Sequence, residues 1–122
     1  ARRMWAESGY GPKDVDVVQV YQNVTGMGVG ALIDHGFCTF ENVGEVVRFE
    51  NLIAPSGSLP CNTSGGDLAE GFIHGMGLLA EAVRQLRGES PNQVPGARLS
   101  LMTGGPGDTL TSTALLGTED TL

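Results

Sequence analysis

Between Pro60 and Gly75 the chain sets Asn62, a Ser64-Gly65-Gly66 triplet and the further glycines Gly71 and Gly75 ahead of its strongest helical pattern. Glycines in that density are not needed by an ordinary loop. Gly65 and Gly66 allow positive φ and a close backbone approach to another chain or a ligand, which a Cβ would block. The pattern that follows places Met76, Leu79, Val83 and Leu86 three or four residues apart, which predicts a helix from about Ile73 to Arg87 with an apolar face through those four. Gly88 is placed to end it in the left-handed conformation, and Arg84 and Arg87 suit the negative end of its dipole.

The rest of the chain alternates helix and strand. Arg2 to Ser8 reads as a helix ended by Gly9, with Gly11-Pro12 as a break. Asp14 to Tyr21 is rich in β-branched residues and predicts a buried strand. Thr25 to Gly36 reads as a helix loosened by Gly26, Gly28 and Gly30, each of which costs about 1 kcal/mol relative to Ala. A connection from Phe37 to Leu59 carries a short helix around Val43 to Phe49. Strands at Ala97 to Thr103 and Thr109 to Leu116 close the domain around Gly104-Gly105-Pro106-Gly107. The fold class is α/β, with helices layered on both faces of a mixed sheet, and residues 1–122 form one domain.

Charge and composition exclude several classes of function. The net charge is −7, and the seven basic residues are scattered, so no stripe exists for nucleic acid or an anionic membrane. No apolar run approaches bilayer length. Cys38 and Cys61 make neither a disulfide framework nor a zinc knuckle, and a reducing, cytoplasmic setting fits them best. No metal site is expected. Ala1-Arg2-Arg3-Met4-Trp5 reads as the middle of a helix, so the chain is expected to be part of a longer or multi-chain assembly.

An ordered set of segments resembles the C-terminal half of the thiolase superfamily. These are Val20-Tyr21-Gln22-Asn23-Val24-Thr25-Gly26, Asp34-His35-Gly36-Phe37-Cys38, Glu50-Asn51-Leu52 through Ala54-Pro55-Ser56-Gly57, Asn62-Thr63-Ser64-Gly65-Gly66, and Glu81 through Gly88 with Asn92-Gln93-Val94. Within the superfamily they are most similar to the actinobacterial lipid-transfer-protein branch that includes the steroid side-chain-cleaving aldolases. The resemblance implies a thiolase-like α-β-α half. It also implies a coenzyme A thioester as substrate with no further cofactor, and three partners: an N-terminal thiolase half, a second copy, and a small OB-fold acyl-CoA-associated protein.

Three positions depart from the thiolase pattern together. Tyr21 stands where thiolases similar to this chain have an Asn, and the aldolase-like branch has a Tyr in a setting that this chain matches except at Val24. A phenol at the end of an apolar strand can donate a proton to a developing oxyanion or accept one, which makes Tyr21 the first catalytic candidate. Its bland alternative is a strand-end Tyr with its hydroxyl in water. Phe72 occupies the place of the thiolase histidine and of the Tyr in the resembling aldolases, and it has no proton to give. His74, two residues on, is then the second catalytic candidate, against a histidine merely bonded to backbone near a helix start. Met102 lies where thiolases have their second catalytic cysteine, so Claisen-type thiolysis is not supported.

Other positions sort into binding and structure. Asn62 can offer its amide to a bound carbonyl, and Gly65, Gly66, Phe72, Gly104 and Gly105 are expected to shape the substrate pocket, whereas Ser64 is given to the turn. Cys61 lacks a paired base and reads as a small buried thiol. His35 reads as a helix-end cation. Gly26 to Ala31 imitates a dinucleotide fingerprint, but no acidic residue ends a second strand at the required distance. Gly104 to Asp108 lacks the Lys-Ser/Thr of a phosphate loop. The expected activity is retro-aldol cleavage of a β-hydroxyacyl-CoA side chain. The alternatives are a non-catalytic acyl-CoA or sterol-binding subunit, favoured by Phe72, and a purely structural half of an oligomer.

Overall fold

The structure is a computed structural model in which residues 1–105 and 111–121 are described. The expected hairpin residues Pro106 and Gly107, and Thr109 at the head of the last strand, lie outside them. Helix α1 (Arg2–Ser8) ends at Gly9 with φ 76°, as its sequence predicts. Strand β1 (Val17–Gln19) leads to α2 (Thr25–Asp34), the short helices α3 (Val43–Val46), α4 (Phe49–Leu52) and α5 (Gly66–Ala69), then α6 (Met76–Arg87), β2 (Leu99–Gly104) and β3 (Ser112–Gly117).

Among the described residues three strands pair, in the order β1-β2-β3. β1 runs parallel to β2, with Val17 opposite Ser100 and Gln19 opposite Met102, and β3 is antiparallel to β2. The other edge of β1 is covered by the chain at Pro60 to Asn62, which bridges Val18 through Cys61. Alternation along the strands sorts side chains onto two faces. Val18, Val20 and Leu101 pack with Leu32 of α2, and Met4 and Trp5 of α1 close over them. α6 lies on the other face, against β1 and β2. Helices therefore cover both sides of a mixed sheet. Leu78, Leu99 and Leu101 are at most 1% exposed, and each such burial is worth about 1.5–3 kcal/mol.

Three expectations change. The strand predicted over Asp14 to Tyr21 is reduced to Val17–Gln19. Asp14 instead bonds the Gly11 amide and closes a 3-10 turn at Pro12–Asp14, and the amides after Gln19 are taken by side chains rather than by a neighbouring strand. The long helix begins at Met76, because His74 (φ 52°) and Gly75 (φ 85°) are left-handed and break any earlier turn. Its sheet-facing side is not the Met76–Leu79–Val83–Leu86 stripe. Met76 is 58% exposed, and the fully buried positions are Leu78, Glu81, Ala82 and Gln85, a face rotated around the helix.

Candidate functional site

Tyr21 leaves the C-terminal end of β1 and is 7% exposed. Three consecutive amides around it are held by side chains from three places in the sequence. The Val20 N–H donates to Asn62 Oδ1 (2.7 Å), that of Tyr21 to Thr103 Oγ1 (3.1 Å) and that of Gln22 to Asp67 Oδ2 (3.3 Å). Asn62 also donates from Nδ2 to the Val20 carbonyl (3.0 Å), so one amide side chain pairs with both backbone groups of the residue before Tyr21. Asn62 does this from the left-handed region (φ 49°), a conformation that Asn tolerates better than most residues.

The two glycines of the turn serve the same clamp. Gly65 (φ 104°) caps α5, and a Cβ on Gly66 (φ 64°) would lie 2.8 Å from Asn62 Nδ2 and 3.1 Å from Gln22 Nε2. The first is closer than real Cβ atoms come, and the second would require Gln22 to give way by a few tenths of an ångström. Gly75 presses from the other side: a Cβ there would meet Met102 Cε at 3.2 Å and the Tyr21 ring at 3.3 Å. Neither Gly75 nor Thr103 is given a place in the site by the sequence alone. The signal for Gly75 was its place beside His74, in a glycine-spaced approach to α6.

Tyr21 lines a cavity of about 180 Å³ with Thr103, Gly104, Gly105 and the inner side of α2. Gly26 and Gly30 belong to that lining, and nothing would lie within 4 Å of a Cβ on either, so these two leave space open, whereas a Cβ on Gly28 would meet Gln22 Oε1 at 3.1 Å and Gln22 Cβ at 3.2 Å. Phe72 stands beside Tyr21 with ring centroids 6.0 Å apart, and His74 meets Phe72 edge-on at 5.1 Å, so Phe72 touches both rings. Phe72 is 50% exposed, and His74 is exposed too.

The remaining candidates lie apart. Asn62 and Gly65 line a second, more open groove of about 490 Å³ with Phe49, Ile53, Cys61 and Ser64. The structure thus brings Tyr21, Gly104 and Gly105 into one cavity, leaves Phe72 and His74 outside its lining with Phe72 against the Tyr21 ring, and places Asn62, Gly65 and Gly66 behind the strand end. Burial pushes the Cys61 thiol up to about 12, which keeps it protonated and unreactive at neutral pH. Cys38 is buried and its thiol is likewise pushed up by desolvation.

His35 is a correction. It is 8% exposed; Nδ1 sits 2.8 Å from the Ala31 carbonyl and Nε2 3.0 Å from Thr113 Oγ1. Desolvation lowers its pKa below the ordinary histidine value. A neutral ring donating from Nδ1 and accepting at Nε2 satisfies both contacts, so it is a tie between α2 and β3 and not a helix-end cation. Among the described residues no group of three or more His, Cys, Asp or Glu could hold a metal ion, and no helix is long and apolar enough to cross a membrane.

Comparison with known proteins places these features in a context. Residues 1–118 match the family described as Thiolase C-terminal domain-like. The chain is 44% identical over 108 residues to the 17-hydroxy-3-oxo-4-pregnene-20-carboxyl-CoA lyase of Mycobacterium tuberculosis, covering 87% of this chain and 27% of that protein. It is 38% identical over 118 residues to the steroid side-chain-cleaving aldolase of Thermomonospora curvata, covering 97% and 30%. The solved Ltp2-ChsH2(DUF35) aldolase superposes with a TM-score of 0.89 at 36% identity, over 97% of this chain and 30% of that one. The chain spans less than a third of the length of these relatives.

Proposed function

Because the chain belongs to the Thiolase C-terminal domain-like family, we propose that it forms the C-terminal part of an acyl-CoA-handling aldolase that cleaves a β-hydroxyacyl-CoA side chain by a retro-aldol reaction. The observation that carries this reading is the phenol of Tyr21, buried at a strand end, clamped through three neighbouring amides and lining a cavity with Gly104 and Gly105. A cavity of about 180 Å³ is smaller than the roughly 300–1,000 Å³ of a drug-sized site, so it takes the reacting end of a thioester and not the whole molecule. The rest of the substrate is held by polypeptide beyond these 122 residues, in keeping with the share of its relatives that the chain spans.

The reaction balances without an added reactant. A base removes the proton of the β-hydroxyl, the oxygen's electron pair forms a carbonyl, and the Cα–Cβ bond breaks toward the thioester. The resulting enolate is protonated at Cα, leaving a ketone or aldehyde and a shortened acyl-CoA. No electrons enter or leave, and the thioester is the electron sink, so the chemistry requires no redox cofactor and no metal. Tyr21 is the group assigned to proton transfer at the reacting end. His74, which packs against Phe72 and does not line the cavity, is the second. Asn62, whose amide is committed to Val20, serves by holding Tyr21 in place. Met102, whose thioether carries no exchangeable proton, supports cleavage over thiolysis.

A second reading rests on Phe72. The side chain beside Tyr21 carries no hydroxyl, which suits a subunit that binds an acyl-CoA or sterol without turning it over. The test uses the full-length protein with its accompanying chains and the 17-hydroxy-3-oxo-4-pregnene-20-carboxyl-CoA thioester that names the mycobacterial relative. Tyr21→Phe is expected to lower kcat by about a hundredfold with little change in binding, because ring and packing remain. Phe72→Tyr is expected to raise turnover. If Tyr21→Phe turns over like the parent, the assignment of Tyr21 is wrong. If neither the parent nor Phe72→Tyr cleaves a thioester that both bind, the binding-subunit reading replaces the aldolase.

A further inference from the structure

Glu81 is 0% exposed on the inner face of α6, where leucine would pack without needing a partner. A buried carboxylate is costly unless it is hydrogen-bonded. Glu81 Oε1 accepts from Thr63 Oγ1 (2.6 Å), Ser90 Oγ (2.6 Å) and Gln85 Nε2 (3.0 Å). Gln85, also fully buried, reaches Thr63 Oγ1 (3.0 Å) and the Asn92 carbonyl (2.9 Å), while its own Oε1 accepts from the Val94 amide (2.9 Å). Gln19 of β1 donates to the same Thr63 hydroxyl (3.0 Å), and Asn92 Nδ2 returns to the Thr63 carbonyl (2.8 Å).

Gln19, Glu81 and Gln85 all meet at the Thr63 hydroxyl, while Glu81 Oε2 and Gln19 Oε1 are buried without a hydrogen-bond partner among the described residues. Thr63 follows Asn62, and Asn62 grips both backbone groups of Val20, the neighbour of Tyr21. The path from Glu81 to the phenol is therefore continuous: carboxylate to Thr63 hydroxyl, one peptide to Asn62, side-chain amide to Val20, one peptide to Tyr21. Buried polar networks of this kind are poor stabilisers compared with apolar packing, and what they supply is a defined geometry.

We propose that Glu81 is a positioning residue for Tyr21, acting through Thr63 and Asn62 to fix where the phenol sits in the cavity. This rests on the reading of Tyr21 as the proton-transfer group. Glu81 does not itself line the cavity.

The experiment is a double-mutant cycle in the full-length protein with its accompanying chains, using the same steroid thioester. Thr63→Val removes the hydroxyl at nearly constant shape and is expected to lower kcat about tenfold, since small misplacements of a reacting group carry losses of that order. KM should stay within about twofold, and Thr63→Ser, which restores the hydroxyl, should return most of the rate. Glu81→Gln is expected to act in the same direction and serves in its place should Thr63→Val not fold. In the Tyr21→Phe background neither change should lower kcat further, because the group being positioned is gone. Hydrogen exchange at the Val20, Tyr21 and Gln22 amides should accelerate in both variants.

Additive losses in the Tyr21→Phe background, or a rise in KM at unchanged kcat, overturn the positioning role while leaving Tyr21 in place. A Tyr21→Phe protein as fast as the parent overturns both assignments at once. Unchanged exchange at residues 20–22 alongside a lowered kcat also overturns the proposed route.

Discussion

At the scale of single residues, the site depends on conformations that few side chains allow. Gly75 combines φ 85° with a Cβ position crowded by Met102 Cε at 3.2 Å and the Tyr21 ring at 3.3 Å. Gly75→Ala would add about 1–2 kcal/mol of left-handed strain and push the phenol outward. Its melting temperature should fall by several degrees, and turnover should fall more than the loss of folded protein accounts for. A variant as fast and as stable as the parent would show that the ring has room to spare. Cys61 gives the opposite kind of expectation. With its thiol raised to about 12 by burial, it should resist alkylation at pH 8 in the folded protein, and no acyl-cysteine should form there on incubation with acyl-CoA. Peptide mass analysis that found acylated Cys61 would contradict both the raised thiol pKa and the proposed chemistry.

At the scale of elements, much was legible from periodicity and punctuation. α1 with its Gly9 cap and α2 came from turn signals and spacing, and the end of α6 at Gly88 followed from the glycine and the arginines before it. The face of α6 did not. An apolar pattern points to Met76, Leu79, Val83 and Leu86, yet the buried face carries Glu81 and Gln85, because their partners lie far away in sequence at Thr63, Ser90 and Val94. Periodicity cannot see partners that only tertiary structure supplies. The same blindness made His35 a cation on paper, when Thr113 on a distant strand completes a neutral ring's bonds. That tie between α2 and β3 has a pH consequence. The folded pKa of His35 lies below the unfolded value of about 6.5, so the unfolded chain binds the proton more readily. Its stabilising contribution is full above that value and is lost as pH falls through and below it. The melting temperature should therefore drop between pH 7.5 and 5, and the part of the drop due to His35 should vanish in His35→Gln. An equal drop in that variant would assign the effect to other groups.

At the scale of the whole molecule, the resemblance read from ordered motifs and the family match agree on a layered thiolase-like half, and the chain spans less than a third of its relatives. Its surface is consistent with a unit built to be covered. Val24, Leu68, Phe72, Ile73 and Met76 are each at least half exposed, and Phe40 and Phe49 of the connection are 81% and 77% exposed. Single exposed apolar residues are ordinary, but Leu68, Phe72, Ile73 and Met76, all exposed within nine residues, make a surface that seeks a partner. The 122 residues alone are therefore expected to self-associate or to bind a hydrophobic dye, and to lack turnover on the steroid thioester. Supplying the remainder of a full-length relative's architecture should suppress dye binding. Light scattering coupled to gel filtration decides the matter: a single 12.7 kDa species that binds no dye and is fully active would show that these side chains need no cover.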